Sequence, residues 1–198
     1  GSILYEHNSN QRKYPASVTK IATAIYAIEN ANLDDIVTVS ENARYAEGTR
    51  VYLEAGEQVT LEKLLYGLII NSGNDAAVAI AEHISGTEEQ FAIDLTNHLI
   101  EKTGIQNTNF TNSSGLFDEN HYSTAYDLAT IVQYAMKNET FMKFYNAKEL
   151  RWIGESWDTT IVSHHRLVNG EIPYEGITGG KNGYVPEARY TLATTAKR

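Results

Sequence analysis

Three short segments of this 198-residue chain carry side chains able to do nucleophilic chemistry. The first is Pro15-Ala16-Ser17-Val18-Thr19-Lys20. A helix beginning after Pro15 projects Ser17 and Lys20 from one face. Its start also sets unpaired backbone N–H groups and a positive dipole end beside the serine oxygen. A lysine held there against apolar neighbours can lose its proton and act as base for Ser17. Alone, Ser-x-x-Lys reads just as well as a helix-start serine followed by a solvated lysine. The second segment, Ile70-Asn71-Ser72-Gly73-Asn74-Asp75, is a polar loop between two apolar helical runs. Its hydroxyl and carboxamide can face one cleft, or Gly73 and Asn74 can simply cap two helices. The third, Gly179-Gly180-Lys181-Asn182-Gly183-Tyr184, sets a lysine in a glycine-rich extended run that a substrate can approach closely. Here the plain alternative is a hairpin whose Asn182-Gly183 pair forms a type I′ turn.

The elements that must position these groups follow from periodicity. A short strand is expected at Ile3 to Glu6. Val18, Ile21, Ala22, Ile25, Tyr26 and Ile28 repeat at helical spacing. Leu61 to Ile70 and Asp75 to Ile84 predict two more helices, the second stopping at Gly86. Thr87 with Gln90 forms a capping box for a helix to Lys102 that Gly104 ends. Thr124 with Asp127 opens another through Met136. From Leu150 the pattern turns to strands, at Leu150–Ile153, Thr159–Ser163 and Arg189–Thr195. A strand, many helices and then antiparallel strands predict an α+β domain, with one sheet completed by both chain ends. The expected division is a sheet lobe (1–12 and about 149–198) and a helical lobe (about 13–148). A chain that opens on one strand and closes on another reads as a piece excised from a longer protein.

Composition removes several classes of function. A formal net charge of −9, from 16 basic and 25 acidic residues, argues against a nucleic-acid surface. The absence of cysteine removes disulfides, thiolate metal sites and cysteine nucleophiles. No apolar run approaches the roughly 20 residues of a membrane span. His164-His165 would point to opposite faces of a strand, and no metal-binding helix motif, Walker loop or nucleophile elbow is present. Asp127 reads as a helix-capping acid, and Arg166 as a residue at the cleft rim.

The ordered set Ser-x-x-Lys, Ser-x-Asn, Lys-x-Gly resembles the signature of penicillin-recognising serine enzymes. The longer stretches 14–20, 65–77, 121–129 and 193–198 resemble the D-alanyl-D-alanine carboxypeptidases, the low-molecular-mass penicillin-binding proteins of serine peptidase family S11. That resemblance implies a β-lactamase/transpeptidase-like fold, an antiparallel sheet flanked by helices with an inserted helical lobe, curtailed at both ends here. It implies removal of the terminal D-Ala from peptidoglycan stem pentapeptides through an acyl-serine, with β-lactams acylating the same serine. By position, Ser17 would be the nucleophile and Lys20 its base. Ser72 would relay a proton, Asn74 would hold Lys20 and substrate, and Lys181 would hold the substrate carboxylate. Asn182, Gly183 and Tyr184 would bind substrate, with the N–H groups of Ser17 and Tyr184 as oxyanion donors. No metal or organic cofactor is implied. The location implied is extracytoplasmic, with membrane anchoring of the parent through segments outside this stretch left open. One departure stands out: the family has Thr or Ser where this chain has Asn182, which puts carboxylate binding in doubt. Two other readings stay open, a class A-like β-lactamase and a non-catalytic cell-wall-binding module.

Overall fold

Helix α1 (Thr19–Asn30) is buried on every side from Thr19 to Ala27, as expected of a helix at the centre of a core rather than on its surface. The computed structural model describes residues 2–197. A 3₁₀ turn, Ala16–Val18, leads into α1. Around α1 pack α3 (Leu61–Ile70), α4 (Asn74–Ser85), α5 (Glu88–Thr103), α6 (Ala125–Ala135) and α7 (Glu139–Tyr145). The short α2 (Glu41–Arg44) lies against α4. One continuous apolar cluster joins them, with Leu64, Leu65, Leu68, Phe91, Phe141, Phe144 and Trp152 fully buried.

Local chemistry sets the helix ends. Thr60, Thr87 and Thr124 each accept a hydrogen bond from the backbone N–H three residues on, at Lys63, Gln90 and Asp127. The expected capping box at Thr87 is half formed, because the Gln90 amide donates to Asp94 (2.8 Å) instead of turning back. Gly104 closes α5 in the left-handed conformation.

Among the described residues the strand pairings are antiparallel, in three two-stranded sheets: β1 (Ile36–Thr38) with β2 (Gln58–Thr60), β3 (Glu149–Ile153) with β4 (Asp158–Val162), and β5 (Ile177–Val185) with β6 (Arg189–Ala196). The expected strand at Ile3 to Glu6 does not form, and so among the described residues no sheet joins the first and last segments. A strand exists only where a neighbour shares its ladder; residues 3–6 pair with none, leaving Leu4 97% and Tyr5 84% exposed. The β5–β6 hairpin turns at 186–188, with Ala188 donating to Val185 (3.1 Å). Asn182 and Gly183 therefore lie inside β5, opposite Leu192 and Thr191, and form no turn. The 3₁₀ turn carrying Ser17 packs directly on this hairpin.

Candidate active site

Lys20 is completely buried, and its ammonium nitrogen meets three oxygens. Nζ lies 2.7 Å from Asn74 Oδ1, 2.7 Å from the Ser114 carbonyl and 3.0 Å from Ser17 Oγ. The first two can only accept. They take both hydrogens of a neutral amine and leave its lone pair for the third neighbour, the Ser17 hydroxyl. Asn74 is held the right way round, since its Nδ2 donates to the Glu47 carbonyl (2.6 Å). Burial pushes the Lys20 pKa well below the ordinary lysine range and the Lys181 charge pushes the same way, against opposing pulls from Asp75 and Glu88. The arrangement therefore favours a neutral amine facing a hydroxyl.

Lys181, on β5, is the second buried lysine. Its Nζ donates to Ser72 Oγ (3.0 Å) and to the Asn182 carbonyl (2.7 Å), and burial lowers its pKa to about 7. Ser72 sits between α3 and α4 at φ +60, and Ala16, just before Ser17, at φ +50. Each left-handed non-glycine residue costs on the order of 1–3 kcal/mol, so both hydroxyl-bearing turns store strain. Gly183 lies against the Ser17 backbone, where a Cβ would stand 2.7 Å from the amide nitrogen. Only glycine leaves that N–H open for an approaching oxygen. Tyr184 follows, half exposed and in tilted ring contact with Tyr190.

The structure thus gathers Ser17, Lys20 and Asn74 into one hydrogen-bonded group and Ser72 with Lys181 into another. Gly183 brings β5 against Ser17. Capping does not account for the second motif: Gly73 precedes α4 without a side-chain bond, and the Asn74 side chain turns to Lys20. Asn182 is half-buried on β5. Arg166 pairs with Glu171 on an exposed segment (2.9 Å). His164 and His165 follow β4 in a loop, with His165 buried and bonded to Thr194 (2.7 Å). Asp127 does more than cap, accepting from the Asn107 N–H and the Thr108 hydroxyl at 2.8 Å.

Sequence reasoning missed several supports. Buried Asp75 accepts from the N–H groups of Val51, Leu53 and Ala76, fixing the wall beside Ser72. His121, held neutral by a pKa that burial lowers to about 4, accepts from the Thr111 N–H at Nδ1 and is left to donate to Thr19 Oγ1 (2.8 Å) through Nε2. The Ser114 carbonyl had no signal at all, because every residue offers one.

Comparison with known proteins gives the family and the fold. The family model for D-alanyl-D-alanine carboxypeptidase, peptidase S11, matches residues 1–198. The chain belongs to the S11 family. It is 40% identical over 205 residues to the D-alanyl-D-alanine carboxypeptidase DacF of Bacillus subtilis, covering 100% of this chain and 51% of that protein. With DacA of Haemophilus influenzae it shares 34% identity, covering 99% of this chain and 50% of the relative. Among solved structures, a D-alanyl-D-alanine carboxypeptidase of Mycobacterium tuberculosis superposes with a TM-score of 0.92 at 30% identity, covering 100% of this chain and 74% of the other. Penicillin binding protein 5 of Haemophilus influenzae gives 0.89 at 31%, covering 100% and 58%. The S11 chain described here spans about half the length of the curated relatives it matches. Its fold is the α+β transpeptidase-like fold of those structures.

Proposed function

We propose that this S11 chain carries the machinery of a serine D-Ala-D-Ala carboxypeptidase, with Ser17 as nucleophile and Lys20 as general base. The observation that carries the reading is the coordination of Lys20: two acceptor-only oxygens and one serine hydroxyl around a buried amine. Ser17 Oγ attacks the carbonyl carbon of the penultimate D-Ala of a peptidoglycan stem peptide, and its proton passes to the Lys20 nitrogen. The oxyanion rests against the N–H groups of Ser17 and Tyr184, each worth about 3–4 kcal/mol of barrier. Ser72 hands its proton to the departing D-Ala amine and regains one from the protonated Lys20, which leaves Lys20 neutral again. Lys181, with Asn182 beside it, holds the terminal carboxylate. Water then cleaves the acyl-serine with Lys20 again as base. A β-lactam ring opens by the same attack and remains on Ser17.

Such a substrate places the working protein outside the cytoplasm. Among the described residues no helix is long and apolar enough to cross a membrane.

Intact mass spectrometry after incubation with benzylpenicillin tests the reading. A one-to-one adduct that disappears in Ser17→Ala supports it. Persistence of the adduct in that variant would assign the nucleophile elsewhere, rapid turnover without an adduct would favour a β-lactamase, and inertness would favour a binding module.

A further inference from the structure

We propose that Glu88, which touches neither Ser17 nor the cleft hydroxyl Ser72, is a positioning residue for Lys20, acting through the loop 112–115. The proposal rests on the reading of Lys20 as base. That role needs the Ser114 carbonyl, since it takes one of the two N–H groups of the neutral amine. A carbonyl in a loop points where its neighbours hold it. Ser113, the preceding residue, is completely buried, and both its backbone ends are tied. Its carbonyl accepts from Thr23 Oγ1 on α1 (2.7 Å), one turn beyond Lys20. Its N–H and its hydroxyl both donate to Glu88 Oε1 on α5, at 3.0 and 2.6 Å. On the other side, Asn112 Oδ1 accepts from the Ser114 and Gly115 N–H groups at 3.3 and 2.8 Å. Glu88 is the one charged member of this clamp, and charge-assisted bonds are the stronger kind.

Glu88 is not needed to begin its own helix, because Thr87 already caps α5 through Gln90. Its carboxylate instead spans from α5 to a loop 25 residues further on. The charged groups acting on Lys20 are Lys181 from β5, Asp75 from α4 and Glu88 from α5, with His121 nearby held neutral. Loss of the Glu88 charge therefore has two consequences. The Ser114 carbonyl loses its aim, and Lys20 binds its proton less tightly.

The test is stopped-flow acylation by a chromogenic cephalosporin across acid and alkaline pH, resolving the non-covalent binding constant from the acylation rate constant. The parent, Glu88→Gln and Glu88→Ala are compared, with thermal melting alongside. Glu88→Ala is expected to lower the acylation rate constant about tenfold, as for a lost bond to a charged group, and to leave the binding constant unchanged. Glu88→Gln keeps an acceptor and so loses less. In both variants the acid limb of the rate profile moves to lower pH. A purely structural role would reduce the folded fraction and leave the limb where it is; that result, or a parental rate constant in either folded variant, overturns the proposal. Should Glu88→Ala fail to fold, Glu88→Gln decides by the same two readouts. A parent that is never acylated overturns the base assignment as well, whereas variants that match an active parent overturn only the role of Glu88.

Discussion

Replacing Lys181 by Met should stabilise this protein while removing the acylation proposed for it. Lys181 is 2% exposed, and burial lowers its pKa to about 7 from an ordinary 10.5. Each tenfold in proton affinity is worth about 1.4 kcal/mol, so charging this amine inside the fold costs on the order of 5 kcal/mol relative to the unfolded chain. Met has nearly the same length and carries no charge. It forgoes the bonds to Ser72 and the Asn182 carbonyl, worth about 1 kcal/mol each. The net expectation is a gain of about 2–4 kcal/mol, or roughly 5–15 °C in melting temperature for a chain of this size. The sign of the pH dependence follows from where the proton sits. Between about pH 7 and 10.5 the unfolded chain binds a proton that the native state does not, so the parent gains stability as pH rises. Below about 7 both states bind it and the penalty is constant. The advantage of Lys181→Met should therefore be full below pH 7 and vanish towards 10.5. Urea unfolding of both proteins at several pH values measures it. A variant less stable than the parent below pH 7, or a difference that does not change with pH, would refute this account of the buried charge.

Three further outcomes are expected. Lys20→Arg should not acylate although a nitrogen base of similar reach is kept, because a guanidinium does not shed its proton; near-normal labelling by penicillin would reduce Lys20 to an electrostatic role. Asn182→Thr should raise the second-order acylation rate about tenfold or more for β-lactams bearing a free carboxylate, and leave an esterified analogue unchanged. Asn182 lies in regular strand, where a β-branched residue fits, so a flat rate would mean that the asparagine is not a weakened carboxylate ligand. Gly115→Ala should lower the melting temperature and abolish acylation together. At φ +91 its Cβ would stand 1.9 Å from the Ala16 carbonyl, so the loop or the Ser17 turn must move; retained stability with full labelling would contradict that packing.

The two lysines couple stability to function. Removing Lys181 also removes a charge that lowers the Lys20 pKa, so any residual acylation in Lys181→Met should have its acid limb at higher pH. The strain at Ala16 and Ser72 and the two buried amines lie where the proposed chemistry needs them, and each makes the fold less stable than an inert core would be.

What could be read from the sequence was whatever depends on near neighbours. Thr87 and Thr124 begin helices because a side-chain oxygen three residues before an amide can close a cap without help from the rest of the fold. Ser17 and Lys20 share a face for the same local reason, and the three motifs in order, with the longer stretches around them, carried the resemblance to the S11 family. The tertiary structure decided between uses of a group that local chemistry leaves equally open. Asn74 could cap a helix or hold a lysine, and burying Lys20 against it settled the matter, since a buried amine cannot be left without partners. Asn182-Gly183 could turn a hairpin or run through a strand, and β6 aligned along β5 made it strand. Ile3 to Glu6 had a strand's composition but no partner for its ladder. The Ser114 carbonyl, Glu47 and Glu88 were invisible for a related reason: a backbone acceptor or a surface-looking acid acquires its role only when folding brings it to a group far away in the chain, 94 residues in the case of Ser114 and Lys20.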